Sequence, residues 1–132
     1  EGALKLKEIA YIHAEGSPAG GLKHGPLALI EEGQPVFVIV PSPRGRDSLH
    51  SKVVSNIQEI RARGARPLVI AEEGDTEVEP FADTVFYVPQ TPTLLAALVS
   101  VVALPIKTSE LASAKGLDVD QPRNLAKSVT VE

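Results

Sequence analysis

Three short apolar runs constrain the fold of this chain more than any other feature of the sequence. They span residues 35–40, 67–71 and 84–88, and none contains a charged side chain. Runs of this length that are rich in β-branched residues and show no polar alternation are typical of strands buried on both faces of a parallel sheet. The sequence therefore predicts three such strands.

Helical patterns lie between and around these runs. Asp47 and Ser48 are suited to cap a helix after the first run, and Gly64 stands where that helix would end. The apolar residues at helical spacing between them are Leu49, Val53, Ile57 and Ile60. We also expect helices over residues 2–15, from near Pro26 and from about Thr93, the last with its continuity put in question by Pro105.

Strands that alternate with helices predict the α/β class. Because each strand is apolar throughout, we expect a doubly wound parallel sheet between two helical layers, which is a flavodoxin-like, three-layer αβα sandwich. Ligands of such folds bind outside the carboxyl ends of the strands.

Composition narrows the class of protein further. A chain of 132 residues is long enough for one domain, and the absence of cysteine excludes disulfides and thiolate metal sites. The net charge of −4 argues against a nucleic-acid surface. The nearly uncharged stretch 94–106 is shorter than the roughly 20 residues of a membrane span, so we expect a buried helix there.

The two ends of the chain give further expectations. The first residue already belongs to a helical pattern with no capping residue before it, which indicates a fragment of a longer protein, and no signal-peptide pattern is visible. Residues 118–132 show no helical period, but they mix Val, Leu and Ala with Lys127. We expect an irregular tail that packs against the domain. It either contributes Lys127 to a site or docks only for stability, with Lys127 in solvent.

Two charged residues stand out in the first helix. Lys5 falls inside the apolar arc formed by Leu6, Ile9 and Ile12, and Glu8 lies at its edge. Residues three apart share a helical face, so Lys5 and Glu8 are either an ordinary surface ion pair or part of a site. The three histidines lack metal-ligand spacing, and we expect no metal.

Four segments together resemble one enzyme family. They are residues 1–8 (EGALKLKE), 11–15 (YIHAE), 22–30 (LKHGPLALI) and the tail 118–132. The chain is similar along its whole length to the second sugar-isomerase (SIS) half of isomerising glutamine–fructose-6-phosphate amidotransferases. Residues 105–111 depart from the family pattern, which has a longer apolar helical run there.

The resemblance implies a role for each candidate residue. Glu8 would be the base that moves a proton between two sugar carbons, at a partly buried position, and Lys5 would stabilise the enolate. His24 would open the sugar ring in the partner subunit's site. Lys127 would form a Schiff base with the ketose, with Arg123 and Lys5 as neighbouring cations, and Ala126 would line the substrate site.

The resemblance also implies the surroundings of the chain. It would work without a metal or organic cofactor, in a cytoplasmic homodimer, on fructose 6-phosphate and glucosamine 6-phosphate. A glutaminase domain would supply ammonia, and the preceding SIS half-domain would hold the phosphate. Two alternatives are a non-catalytic, phosphosugar-binding regulatory SIS module and a purely structural dimerisation unit.

The remaining polar groups have simpler interpretations. We expect residues 42–46 and 72–75 to be solvated loops, although the first follows a strand end where an anion could bind. His13 is predicted to pack in the first helix, and His50 is predicted to lie on the surface of the second.

Overall fold

The computed structural model describes residues 1–45 and 49–125 of the chain. The described residues form two compact units. One contains residues 1–16 together with the described residues from Leu104 onward, and the other contains residues 17–103.

The sheet lies in the unit formed by residues 17–103. In this described part of the chain, β1 (Pro35–Ile39), β2 (Arg66–Glu72) and β3 (Thr84–Val88) pair in parallel in the order β1-β2-β3. Phe37 lies opposite Leu68 in the first ladder. All three strands therefore end at the same edge of the sheet. The predicted α/β class and parallel sheet are confirmed.

Burial differs between the central and the outer strands. Val69, Ile70 and Ala71 of β2 are at most 1% exposed, whereas β1 and β3 have side chains that are only partly buried or exposed. The prediction of complete burial is right for β2 and wrong for the outer two. A strand at the margin of a small sheet lies partly outside the layer that covers its centre.

The layer over the sheet includes α2 (Leu49–Arg61). The predicted residues Val53 and Ile57, together with Val54, belong to one hydrophobic cluster with residues of β2. Ile60 is also buried, as predicted, whereas Leu49 is 53% exposed, so its predicted place on the apolar face is wrong. Gly64, at φ 88°, ends the helix, because its N–H donates to the Arg61 carbonyl at 2.9 Å. The predicted capping residues Asp47 and Ser48 lie outside the described residues.

Short 3₁₀ helices also lie in this unit. They are Ala19–His24, Pro26–Leu29 and Glu79–Phe81, the last of which connects β2 to β3. Pro26 occupies the first turn of its helix, as the sequence predicted, because a first-turn N–H has no helical partner to lose.

The other unit begins with α1 (Gly2–Ala10), which is shorter than the predicted helix over residues 2–15. The helix ends because Tyr11 adopts a left-handed conformation with φ 53° and ψ 40°. Gly2 packs tightly in this unit, since a Cβ there would lie 2.7 Å from Leu104 Cδ1.

The longest helix, α3 (Thr93–Ala114), contributes residues to both units. It continues through Pro105, so the loss of one backbone N–H does not break it here. The prediction that its apolar stretch is buried is wrong for the described residues, in which Leu94 is 90% and Leu98 63% exposed. α3 has 22 residues and contains an 18-residue window with a mean hydropathy of 1.7, so it is long and apolar enough to cross a membrane. One such helix is only weak evidence of a membrane span.

Gly64 provides a test of this backbone geometry. We expect Gly64→Ala to lower the free energy of unfolding by about 1–2 kcal/mol, because a left-handed conformation disfavours a side chain. The added Cβ would also lie 3.0 Å from Glu32 Cα. Gly20→Ala is the control, since nothing lies within 4 Å of its Cβ position. Urea denaturation would measure the free energy of unfolding of both variants. Equal losses in the two variants would contradict a special role for the left-handed conformation at Gly64.

Candidate functional site

Lys5 and Glu8 form a close ion pair on one face of α1. The Lys5 Nζ lies 2.7 Å from Glu8 Oε2 and 3.8 Å from Glu1 Oε1. The Lys5 and Glu8 side chains are 32% and 25% exposed, so both are half-buried, as their positions beside the apolar arc predicted. The structure thus places a carboxylate and an ammonium group in direct contact, at a position that is partly shielded from solvent.

The hydrogen bond between Lys5 and Glu8 favours the charged form of the lysine. The hydrogen bond to Glu8 is the largest cause that raises the pKa of Lys5 above its ordinary value of 10.5, and partial desolvation opposes it. Lys5 is therefore an ammonium ion at neutral pH. It can stabilise negative charge, but it cannot act as a nucleophile while it stays protonated.

The chain after α3 continues as an irregular tail in the same unit. Gly116, at φ 71°, ends α3, and the Asp118 carboxylate then accepts N–H groups from Asp120 and Gln121 at 3.0 Å each. This segment is therefore held by local side-chain hydrogen bonds and is not helical. The irregular backbone predicted for the tail is confirmed for residues 118–125, whereas most of these residues are exposed, so packing of the tail stays a prediction.

The tail contacts the end of α1 through one residue. The backbone N–H of Arg123 donates to the Tyr11 phenolic oxygen at 2.7 Å. The Arg123 guanidinium lies 4.2 Å from the centre of the Tyr11 ring. Asn124 follows in a left-handed conformation with φ 62°. Ala126 and Lys127 lie outside the described residues.

His24 lies in the other unit, at the end of the 3₁₀ helix Ala19–His24. Its side chain is exposed, and the following Gly25 has φ 148°, a conformation that other residues rarely adopt. The structure thus brings Lys5 and Glu8 together and leaves His24 on an accessible surface. Its role in a partner's site stays a prediction.

A cluster at the carboxyl edge of the sheet departs from the predicted solvated loops. Arg44 Nη2 lies 2.5 Å from Glu72 Oε1, and its Nη1 donates to Gln90 Oε1 at 2.8 Å. Glu72 is buried, so the interpretation of residues 72–75 as a solvated turn is wrong at this position. An open cavity of about 470 Å³ adjoins the cluster, lined by Ser42, Arg44, Gln90, Thr91, Pro92 and Thr93.

Sequence reasoning also misplaced two histidines. His50 is buried, not exposed, and its Nε2 lies 2.7 Å from Oδ2 of the buried Asp75. Asp75 follows β2 and approaches His50 only in the folded chain, so the helical pattern around His50 could not predict this contact. His13 lies beyond the end of α1 and is exposed, so its predicted packing in that helix is wrong.

Comparison of the sequence with known proteins identifies its relatives. Residues 1–112 match the SIS domain family. The chain is 72% identical over 132 residues to the isomerizing glutamine–fructose-6-phosphate aminotransferase of Corynebacterium diphtheriae, and covers 21% of that protein. It is 70% identical to the protein of the same name from Streptomyces coelicolor, of which it covers 22%. The chain thus spans about a fifth of the length of these relatives.

Solved structures show the same relationship. The chain superposes with a TM-score of 0.80 and 41% identity on the C-terminal domain of the Francisella tularensis glucosamine-fructose-6-phosphate aminotransferase, covering 92% of this chain and 33% of that one. It also superposes with a TM-score of 0.80 on a putative tagatose-6-phosphate ketose/aldose isomerase from Clostridium novyi, covering 99% of this chain and 36% of that one, where 16% identity shows the fold alone. The resemblance read from the sequence is confirmed, and the chain belongs to the SIS domain family.

Proposed function

We propose that this chain is the sugar-isomerising part of a longer enzyme that converts fructose 6-phosphate and glutamine-derived ammonia into glucosamine 6-phosphate. The observation that carries the proposal is the half-buried Lys5–Glu8 pair, with Nζ and Oε2 2.7 Å apart, in a chain 72% identical to the Corynebacterium diphtheriae aminotransferase. The experiments below test the proposal residue by residue.

Glu8 is the base in this proposal. Conversion of a ketose derivative into an aldose moves a proton from C1 to C2, so one base must reach both carbons on the same face of the intermediate. A carboxylate on a rigid helix suits this task, since it can accept the proton from C1 and return it to C2. Glu8 lies in the last turn of α1, where the helix fixes its direction.

Lys5 is the electrostatic partner of that base. Removal of the C1 proton leaves negative charge on the sugar oxygen at C2 or on its nitrogen replacement. The Lys5 ammonium, one helical turn from Glu8, supplies a fixed positive charge that needs no reorganisation as the charge develops.

Lys127 is the nucleophile of the proposal, and Ala126 lines the substrate beside it. The Lys127 amine attacks the C2 carbonyl of the open-chain ketose, and loss of water leaves a C=N bond. Because a lysine of ordinary pKa is almost fully protonated at neutral pH, the site must desolvate this amine or place cations near it.

His24 opens the sugar ring in the site of a partner subunit, within a homodimer. An imidazole suits ring opening because it can hold and release a proton near neutral pH. The exposure of His24 supports this proposal, since a residue that serves another subunit must lie on an accessible surface.

The longer protein supplies what this chain lacks. We propose a cytoplasmic enzyme in which a glutaminase domain provides ammonia and a preceding SIS half-domain holds the substrate phosphate. These steps need proton transfer and imine chemistry only, so they require no metal or organic cofactor. By itself the chain would fold without converting sugar, because the remote phosphate handle orients the reacting carbons.

A regulatory, non-catalytic SIS module is the weaker candidate. Such a module has no need for a base and a cation in contact, yet Lys5 and Glu8 are both present and paired. The relatives that match the whole chain are named as aminotransferases.

The proposed nucleophile can be tested by a change that keeps its charge. We expect Lys127→Arg in the full-length protein to abolish glucosamine 6-phosphate formation, because a guanidinium cannot form the imine. Glutamine hydrolysis should stay measurable in the same variant. Lys52→Arg, at an exposed position on α2, is the matched control and should retain sugar conversion. Undiminished conversion by Lys127→Arg would remove this lysine from the mechanism.

Proton transfer by Glu8 has its own assay. Glu8→Gln should preserve the fold, since the two side chains are nearly isosteric, while it stops exchange of solvent deuterium into the sugar carbons. NMR of sugar incubated with the full-length variant in D₂O measures that exchange. Glu31→Gln, at an exposed position outside α1, is the control. Exchange at the normal rate in Glu8→Gln would refute the assignment.

The charge state of Lys5 gives a test that needs no substrate. Because the hydrogen bond to Glu8 is the largest cause that raises the Lys5 pKa, Glu8→Gln should lower that pKa. Glu1→Gln should lower it less, since Glu1 lies farther away and contributes less. NMR titration of the Lys5 side chain at alkaline pH measures both shifts. A larger shift in Glu1→Gln would contradict the geometry.

A further inference from the structure

Tyr11 occupies a backbone position that suits a different residue. It follows the last residue of α1 with φ 53° and ψ 40°, a left-handed conformation in which a side chain is disfavoured and glycine is usual. The Tyr11 and Ile12 N–H groups both donate to the Leu6 carbonyl and end the helix. Glycine would make the same backbone hydrogen bonds with less strain. The Tyr11 side chain therefore has a use that offsets its cost.

That use is visible in the structure. The Tyr11 phenolic oxygen accepts the backbone N–H of Arg123 at 2.7 Å, and the Tyr11 ring lies 4.2 Å below the Arg123 guanidinium. One side chain thus holds a residue 112 positions away by two different contacts. A hydrogen bond fixes the backbone of Arg123, and a cation–π contact fixes its side chain.

We infer that Tyr11 is a positioning residue that fixes the tail at Arg123 and thereby sets where Lys127 can reach. The inference rests on the proposed function for the role of Lys127. Arg123 precedes Lys127 by four residues, and four extended residues span at most about 14 Å. Tyr11 follows Glu8 by three residues, so the contact joins the tail to the end of the helix that carries the proposed base.

Other contacts, which do not involve Tyr11, hold the chain just before the tail. The Lys115 Nζ donates to the Ala10 carbonyl at 2.8 Å, and the Leu117 N–H donates to the Ala112 carbonyl at 3.0 Å. Loss of the Tyr11 side chain would therefore release the chain near Arg123 while the end of α3 stays in place. This separates positioning of the tail from stability of the unit.

The test compares three variants of the full-length protein. Tyr11→Gly removes both contacts and relieves the backbone, so we expect an unchanged or higher Tm together with a fall of about tenfold or more in kcat for glucosamine 6-phosphate. Tyr11→Phe keeps the ring and should retain part of the rate. Arg123→Gln keeps the backbone N–H and should also be intermediate. KM for fructose 6-phosphate and glutamine hydrolysis should change little.

Two further measurements make the result decisive. Adding Arg123→Gln to Tyr11→Gly should lower kcat no further, because both changes remove one shared interaction. Tyr87→Phe, a tyrosine in the other unit, is the control and should leave kcat unchanged. An unchanged kcat in Tyr11→Gly, an additive double variant, or a loss of rate that follows a lower Tm would overturn the inference.

Hydrogen exchange separates this inference from the proposed function. In Tyr11→Gly the Arg123 amide should exchange faster than in the unchanged protein, while the Leu117 amide should not. If the unchanged protein makes no glucosamine 6-phosphate, the proposed function fails, and the exchange rates still decide whether Tyr11 holds the tail. Equal Arg123 exchange in both proteins would overturn the anchoring by Tyr11.

Discussion

Parallel pairing on both sides of β2 is the constraint from which the larger unit follows. A strand whose residues Val69, Ile70 and Ala71 are almost completely buried must be covered, and parallel neighbours require crossover connections that supply the cover. The same pairing brings all strand ends to one edge. Charged groups buried there must be paired, and Glu72 with Arg44 and Asp75 with His50 meet this requirement.

The smaller unit depends on how α1 ends. The left-handed Tyr11 stops the helix one turn after Glu8, directs the chain away from the axis, and presents a phenol to the tail. The Lys5–Glu8 pair and Arg123 are therefore organised by one short stretch of sequence. In the proposed enzyme this arrangement links the base, its cation and the segment that leads to Lys127.

Local patterns predicted much of this structure, and contacts between distant residues explain the rest. The strands and α2 were predictable because buried apolar runs and helical spacing are local properties, as was the end of α2 at Gly64. The burial of His50 depends on Asp75, 25 residues away, and the early end of α1 depends on a strained tyrosine that no propensity favours. The burial predicted for α3 was wrong for another reason. Hydropathy indicates that an apolar face must be covered, but it does not show that the described residues of this chain cover it.

The central proposal is that Lys127 forms an imine with the ketose and that Glu8, on α1, moves the proton. Borohydride reduction of the full-length protein in the presence of fructose 6-phosphate, followed by peptide mass spectrometry, tests it most directly, because reduction makes a Schiff base permanent. The account predicts a single sugar-phosphate adduct on Lys127, dependent on both sugar and borohydride. An adduct on Lys5 or Lys115 instead, or none on any lysine while the enzyme turns over, would contradict it.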